Sequence, residues 1–432
     1  RGAEVLQSAE QIAQQLVIED EVGQRPEIWP LMEKIAKDFD LINGGWGSAP
    51  KFPPANLVDA LLVKGDKNSL DMAQLTLEAM ARGGICDQIG GGFHRYSVDA
   101  GWTIPHFEKM LYDNALLLGA YVRTWRRTAE HDEAKRELFK HTIYGIVGWL
   151  NRELRTEDGV FASGLDADSC DIRGSIHEGI FYLWNHDLLI DALGVADANW
   201  ASHTFHVTKT GTFEDGLSTL QLRGRIDYPK LAEISEKLLA ERENRFRPAT
   251  DELVVTAWNG WLIESLVWAA EIFNEPSWLE MATKAAEQLW QTHWDGNRLA
   301  RTSLHGEPGS GGVLEDYAAL ANGFAVLAGA LGEPNWLERA VQLLEVALEL
   351  FSADDQGFYD GEPGLFIRYR GLTEAVTPSA SATMITALRR VALMANRPDF
   401  AVRAEEASQT TMAVLAEHPR FAGAILADQL II

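Results

Sequence analysis

The segment "GGFHRYSVDAGWTIPHFEKMLYDNALLLGAY", residues 91–121, concentrates side chains that can titrate, stack or donate hydrogen bonds. Pro105 favours a helix start, which predicts a helical face that carries His106, Lys109 and Asp113 at i, i+3 and i+7. An imidazole that titrates near neutral pH beside a carboxylate can act as an acid/base pair. We therefore predict His106 and Asp113 as catalytic residues. The structural alternative is a Lys109–Asp113 ion pair within the helix and a histidine that only satisfies a loop carbonyl.

The loop before this predicted helix supplies candidate ligand contacts. Arg95 and Tyr96 could bind hydroxyl or carboxylate groups. Trp102 could stack on the face of a sugar ring, and His94 is a second candidate for histidine acid/base chemistry. We predict these four residues as contacts to a small-molecule ligand.

A second acidic stretch, "SGLDADSC", places Asp166 and Asp168 two residues apart, on the same side of an extended segment. We predict Asp168 as catalytic, with Glu178 and Tyr182 of "EGIFYLW" beside it in a saccharide pocket. A solvated acidic turn is the alternative. The spacing resembles a calcium loop only superficially, because the other ligands of such a loop are missing. We predict neither a metal site nor a cofactor.

Two further motifs open apolar helical segments. "TAWNGWLIESL" contributes Trp258 and Asn259 as candidate binding residues, and "GGVLEDYAAL" contributes Asp316 as a candidate catalytic acid. The structural alternatives are strong, since tryptophans belong in cores and acidic residues in a first turn favour the helix dipole.

Composition limits the classes of partner. The chain has 432 residues, 46% of them hydrophobic, and a formal net charge of −25. Such a charge repels phosphate backbones and excludes nucleic acid as a partner, and the sequence has no apolar run long enough to span a membrane. Two cysteines without metal-type spacing predict reduced thiols and a cytoplasmic location. Because the sequence starts at Arg1, we expect a fragment or a processed chain.

Apolar residues at helical spacing recur along the whole chain. They predict a short helix near Asn185 and longer helices at Asn56–Gly65, Ser69–Arg82, Phe107–Arg127, Glu133–Leu154, Tyr228–Arg242, Thr256–Phe273, Pro276–His293, Leu314–Leu331, Pro334–Phe351, Ser379–Met394 and Pro398–Ala416. Asp-Gly turns after paired helices form a weak repeat, and about six such hairpins would close a toroid. We predict an all-α (α/α)6 toroid with small β-elements in the loops at one end. The predicted domains are a helical lead at 1–40 and one toroid domain at 41–432, with an elaborated loop at about 155–224.

Six motifs occur along the chain in this order: "GGWGSAPKFP", the long segment at 91–121, "EGIFYLW", "TAWNGWLI", "LEDYAAL" and "TPSASAT". Together they resemble the family of spermatogenesis-associated, thioredoxin-like proteins, whose bacterial members are often called YyaL. The resemblance implies a toroid similar to six-hairpin glycosidases and N-acylglucosamine 2-epimerases, normally preceded by a thioredoxin-like domain. This chain departs from the family pattern at Pro378–Ala382, Asp251–Leu253 and His177–Gly179.

The motifs leave three functions open. Glycoside hydrolysis needs two carboxylates roughly 5–9.5 Å apart, for which Asp113, Asp168 and Asp316 are candidates. A sugar epimerase or isomerase would use histidines, here His94 and His106. A non-catalytic binding or scaffold module, coupled to a thioredoxin-like domain upstream, is the third possibility. We expect a saccharide or another small molecule as ligand, and we predict that the four catalytic candidates share one pocket.

Overall fold

The computed structural model describes residues 24–171, 173–364 and 368–431. The described residues contain sixteen α-helices. In chain order, α1 to α16 span Ile28–Lys37, Ala55–Lys64, Lys67–Arg82, Leu111–Arg127, Glu133–Trp149, His186–Leu193, Val195–Thr204, Tyr228–Arg242, Thr256–Phe273, Pro276–His293, Leu314–Leu331, Pro334–Phe351, Ala380–Met394, Pro398–Gln409, Met412–Glu417 and Gly423–Ile431. Most of the predicted N-terminal lead, residues 1–23, lies outside the described residues, and α1 falls in the remainder.

Six helices form a closed inner ring. Helices α2, α4, α9, α11, α13 and α16 each pack against the next, and α16 packs against α2. The outer helices α3, α5, α10, α12 and α14 each follow an inner helix along the chain. This arrangement confirms the predicted (α/α)6 toroid.

The two layers differ in sequence because they differ in surroundings. The inner helix α11 buries thirteen of its residues, distributed around the helix, because it has protein on every side. The outer helix α12 is amphipathic, and its buried stripe follows the 3.6-residue period through Trp336, Ala340, Leu343, Leu344 and Ala347. The contrast places the core between the two layers.

Glycines set the spacing of two inner helices. A Cβ atom on Gly260 of α9 would lie 2.7 Å from the carbonyl carbon of Ala319 in α11. A Cβ atom on Gly323 would lie 2.8 Å from the carbonyl oxygen of Gly260. The backbones of α9 and α11 therefore approach at a distance that only glycine allows.

Ten short strands lie in the loops: β1 to β10 span Tyr96–Ser97, Pro105–His106, Lys109–Met110, Gly164–Leu165, Asp168–Cys170, Ile176–Glu178, Thr250–Asp251, Val254–Val255, Thr302–Leu304 and Glu307–Pro308. They pair antiparallel as β1–β2, β3–β4–β7, β5–β6 and β8–β9–β10. Strand β3 runs directly into α4, and β8 runs directly into α9. The small β-elements therefore lie at the end of the toroid where inner helices begin, as predicted.

The start predicted for α4 is wrong. The helix begins at Leu111 rather than at Phe107, because Lys109 and Met110 pair as a strand with β4 and the Leu111 N–H donates to the Ser163 carbonyl. His106 lies in β2, opposite Tyr96. The predicted helical face with His106, Lys109 and Asp113 therefore does not exist.

Other bounds differ less. The segment predicted as Glu133–Leu154 is α5 followed by a π-helical turn at Leu150–Leu154, and Pro398–Ala416 is divided into α14 and α15. The predicted loop at 155–224 contains α6 and α7, and α16, the sixth inner helix, was not predicted. No described helix has the length and apolar character that crossing a bilayer requires.

Candidate functional site

Five polar side chains are connected where α4 begins, and we call Arg95, His106, Glu108, Tyr112 and Glu178 the mouth cluster. Arg95 donates through Nη1 to Glu108 Oε2 at 2.9 Å and through Nε to the Tyr112 hydroxyl at 3.1 Å. His106 Nδ1 lies 2.7 Å from Oε1 of Glu178, and its Nε2 lies 3.6 Å from Oε2 of Glu108. The cluster therefore presents an imidazole between two carboxylates.

Aromatic rings flank the mouth cluster. Tyr96 stacks on His106 with ring centroids 5.0 Å apart, and Trp258 meets Tyr112 edge-on at 4.9 Å. Asp168 lies opposite Glu178 across the β5–β6 pair, with an exposed side chain. Several predicted ligand contacts thus come together at one end of the toroid.

Asp113 lies in the first turn of α4 and is buried, with 1% of its surface exposed. Its carboxyl oxygens have no hydrogen-bond partner beyond the Tyr112 side chain among the described residues. Burial raises the pKa of Asp113 well above its ordinary range, although the nearby Arg95 guanidinium and the Tyr112 side chain oppose the rise. A buried carboxyl with so few partners is costly, and such a group often marks a site under functional constraint.

His94, Lys109 and Tyr182 belong to a buried structural network. Lys109 Nζ donates to Asp87 at 2.7 Å, and Arg242 donates to the other oxygen of Asp87 at 2.9 Å. The alternative Lys109–Asp113 pair is therefore wrong. Burial lowers the pKa of Lys109 to about 8. Burial and the charge of Lys109 lower the pKa of His94 to about 3, so His94 is neutral at physiological pH.

Two other predicted residues join inner helices to their neighbours. Asp316 is fully buried and accepts hydrogen bonds from the N–H groups of Val313 and Ala257 and from Arg301 at 2.9–3.1 Å. Burial raises its pKa to about 7, against the opposing charge of Arg301. Asn259 accepts a hydrogen bond from the Phe161 N–H through Oδ1 and donates one to the Phe161 carbonyl through Nδ2. These contacts give both residues a structural role.

Trp102 is also placed in the core. Its side chain is fully buried, and the indole N–H donates to the Asn43 carbonyl at 2.9 Å. A sugar ring could not stack on it in this conformation.

A cavity of about 750 Å³, which we call the axial cavity, is lined by residues of all six inner helices and is open to solvent. Its lining includes two tryptophans, an asparagine and a set of charged residues: Trp261, Trp268, Asn322, Asp59, Glu264, Asp428, Arg123, Arg126, Arg127, Arg389 and Arg390. The volume lies within the range of ordinary small-molecule sites.

Ion pairs organise one side of the cavity. Glu264 accepts from Arg390 at 2.9 Å and from Asn322 at 2.5 Å, so one carboxylate of α9 joins α13 and α11. The Arg123 guanidinium and the Asp59 carboxylate form a two-point ion pair. Both guanidinium groups lie near the Trp268 ring, 4.7 Å for Arg123 and 5.5 Å for Arg390.

Two further polar atoms in the cavity wall are buried without a partner. The Trp261 indole N–H and the Asn322 carbonyl oxygen form no hydrogen bond with other described residues. One is a donor and the other an acceptor, and both atoms are buried in the wall rather than exposed in the cavity.

The sequence analysis did not identify the axial cavity. None of His106, Asp113, Asp168 and Asp316 lines it. A signal was present in "WLIESLVW", where Trp261, Glu264 and Trp268 recur at i, i+3 and i+7 on one helical face. Asp59 and Arg123 offered no local signal, because their relation depends on the closure of the ring.

The structure also bears on metal binding. Among the described residues no group of three or more His, Cys, Asp and Glu side chains is placed to hold a metal ion.

The two helical layers form the (α/α)6 toroid fold that six-hairpin glycosidase-like structures share. Solved structures with the same fold include cellobiose 2-epimerase from Bacillus thermoamylovorans, with TM-score 0.59, 9% identity and coverage of 93% of this chain and 97% of that one. A D-mannose isomerase gives TM-score 0.56 at 10% identity, with coverage of 89% and 83%. At these identities the similarity establishes the fold alone.

The chain is a homologue of proteins named spermatogenesis-associated protein 20, in agreement with the motif resemblance. The protein of that name from Rattus norvegicus is 29% identical over 423 residues, which cover 85% of this chain and 53% of the relative. An uncharacterized Caenorhabditis elegans protein is 32% identical over 380 residues, which cover 76% and 50%. The chain therefore spans about half the length of these relatives, and no family model matches it.

Proposed function

We propose that the toroid binds a saccharide in the axial cavity and that carboxyl groups of the cavity act on it by chemistry of the glycoside hydrolase kind. The observation that carries the proposal is a cavity of small-molecule size whose wall combines the partly exposed Trp268, which lies beside two guanidinium groups, with carboxylates and with the buried unpartnered atoms of Trp261 and Asn322. A sugar offers an apolar ring face to an aromatic side chain and hydroxyl groups to polar side chains.

The lining favours carboxylate chemistry over histidine chemistry. The part of the cavity wall that the structure describes contains no histidine. It contains Asp59 and Glu264, which interact electrostatically. Burial raises the pKa of Asp59, Arg123 opposes the rise and the charge of Glu264 adds to it. We assign Asp59, whose pKa is raised by burial, as proton donor and Glu264, which accepts from Arg390 and Asn322, as the second carboxylate.

The mouth cluster lies outside the lining of the axial cavity. His106, Glu178 and Arg95 hold a partly exposed network of ion pairs at the end of the toroid where α4 begins. Asp113 lies one helical turn before Leu116, which lines the axial cavity. We propose that these residues, with Asp168 nearby, contact the end of a longer saccharide that reaches past Leu116, on the opposite side of the cavity from Arg126 and Arg127.

A second candidate function is saccharide capture without turnover. Asp59, Glu264 and Asp428 are all ion-paired to arginines, which leaves no free carboxylate among the acids of the described cavity wall. In this version the toroid works as the binding module of a longer cytoplasmic protein with a thioredoxin-like domain.

A thermal-shift screen against mono- and oligosaccharides tests binding, since a ligand that binds only the native state raises the unfolding midpoint. We expect at least one saccharide to raise it, and Trp268→Ala to lower the affinity for that ligand about tenfold. Trp29→Ala, which removes an exposed tryptophan outside the cavity, is the control and should change nothing.

Turnover separates the two functions. Chromatography of the bound saccharide after incubation should show cleavage with the native chain and none with Glu264→Gln. Binding without any cleavage by the native chain would favour capture. No shift with any saccharide would contradict the proposal.

A further inference from the structure

The axial cavity carries positive charge in an otherwise acidic chain. Its wall contains the five arginines Arg123, Arg126, Arg127, Arg389 and Arg390 but only the three acids Asp59, Glu264 and Asp428. The whole chain has the opposite balance, with 38 basic and 63 acidic residues and a net charge of −25. A cationic cavity within an acidic molecule concentrates anions where the rest of the surface repels them.

Two of the five arginines are not neutralised by ion pairs. Arg123, Arg389 and Arg390 pair with the three cavity acids. Arg126 and Arg127, exposed in the last turn of α4, form no hydrogen bond or ion pair with other described residues. The α4 dipole favours basic residues at this end, but it does not require them to border the cavity.

From this charge balance we infer that the occupant is an anionic saccharide, a sugar that bears a carboxylate or a phosphate group. Guanidinium groups bind both anions with paired hydrogen bonds, and Arg126 and Arg127 are the groups available for this contact. The sugar ring then lies against the part of the wall that contains Trp261, Trp268 and Asn322. This inference rests on the proposed function and narrows its substrate class.

Calorimetric titration of the native chain with glucuronate, glucose 6-phosphate, glucose and inorganic phosphate tests the inference. We expect at least one of the two anionic sugars to bind at least tenfold more tightly than glucose. That preference should shrink as salt is added, because salt screens exposed charges.

The double variant Arg126→Gln with Arg127→Gln should lose most of the anion preference and keep the affinity for glucose. The matched control is Lys209→Gln with Arg225→Gln, which removes the same charge from exposed positions outside the cavity and should keep the preference.

Three results would overturn the inference. If glucose bound as tightly as both anionic sugars, the preference for an anionic sugar would be refuted, while the proposal that the cavity binds a saccharide would stand. Inorganic phosphate that binds as tightly as the sugar phosphate would show that the ring contributes nothing. A preference that survives in the arginine double variant would place the anion elsewhere. Failure of every sugar, anionic and neutral, would overturn the proposed function together with this inference.

Discussion

At the residue scale, the most informative groups are buried polar atoms with few or no partners. Asp113, Trp261 and Asn322 all carry such atoms, and all three lie on inner helices. An unpaired buried polar atom costs roughly 1–3 kcal/mol of stability. Similar atoms also occur away from the axis, as in Trp149 and Trp336, so it is their place around the cavity and the start of α4 that makes these three residues candidates in the proposed function.

The Asp113→Asn variant tests this trade-off. Because burial raises the pKa of Asp113, the folded chain keeps a proton that the unfolded chain releases above about pH 4, and this difference lowers the free energy of unfolding as pH rises. We expect the variant to be more stable than the native chain at pH 8, by about 1 kcal/mol or more, and to bind long saccharides less tightly. Urea unfolding at pH 5 and pH 8, followed by titration with a trisaccharide, measures both effects. A variant less stable at pH 8 would show that the carboxylate has a stabilising partner.

At the element scale, sequence patterns predicted the helices well where local signals decide the bounds. Pro276 and Pro334 lie at the first positions of α10 and α12, and Ser379 caps α13 through its side chain, as their residue types indicate. The start of α4 could not be predicted, because strand pairing with Gly164 and Leu165 overrides the local preference. That pairing is a long-range contact, and it moved His106 and Lys109 off the helix.

The approach of α9 to α11 gives a prediction at this scale. Gly260→Ala should destabilise the chain by about 1–3 kcal/mol, because the new methyl group meets the backbone of Ala319 at 2.7 Å. Gly148→Ala in α5 is the matched control, since nothing lies within 4 Å of its added Cβ. The control should gain about 0.5–1 kcal/mol from helix propensity. Thermal unfolding of both variants measures the difference, and equal midpoints would show that α9 and α11 can separate freely.

At the scale of the whole molecule, the closed ring could be predicted and its contents could not. Recurrent helix pairs and Asp-Gly turns indicated the toroid, since those signals are local and repeated. The axial cavity depends on which faces of six helices meet, so Asp59 and Glu264 become neighbours only after the ring closes. Sequence patterns instead indicated a site in the loops where α4 begins, and Arg95, His106 and Glu178 of the mouth cluster do come together there.

Buried titratable groups also give the molecule a distinct pH dependence. Burial raises the pKa of Asp316 and of Glu374 to about 7, so the folded chain keeps protons that the unfolded chain releases above pH 4. Asp316 and Glu374 therefore lower the free energy of unfolding as pH rises towards and past 7. Burial lowers the pKa of His94 to about 3 and of His293 to about 4, which costs stability only below about pH 6.5.

The unfolding free energy should therefore fall between pH 6 and pH 8, by on the order of 2 kcal/mol. Glu374→Gln should remove a large part of this slope, whatever it does to stability itself. Glu130→Gln, at an exposed position, should leave the slope unchanged. Urea unfolding across this pH range provides the measurement, and a native chain that gains stability up to pH 8 would contradict the assigned pKa shifts.

The central claim is that a saccharide occupies the axial cavity, and a crystal structure with the tightest-binding sugar of the screen tests it most directly. We predict electron density for the sugar ring against Trp268. Sugar density confined to the mouth cluster or the outer helices would contradict the account.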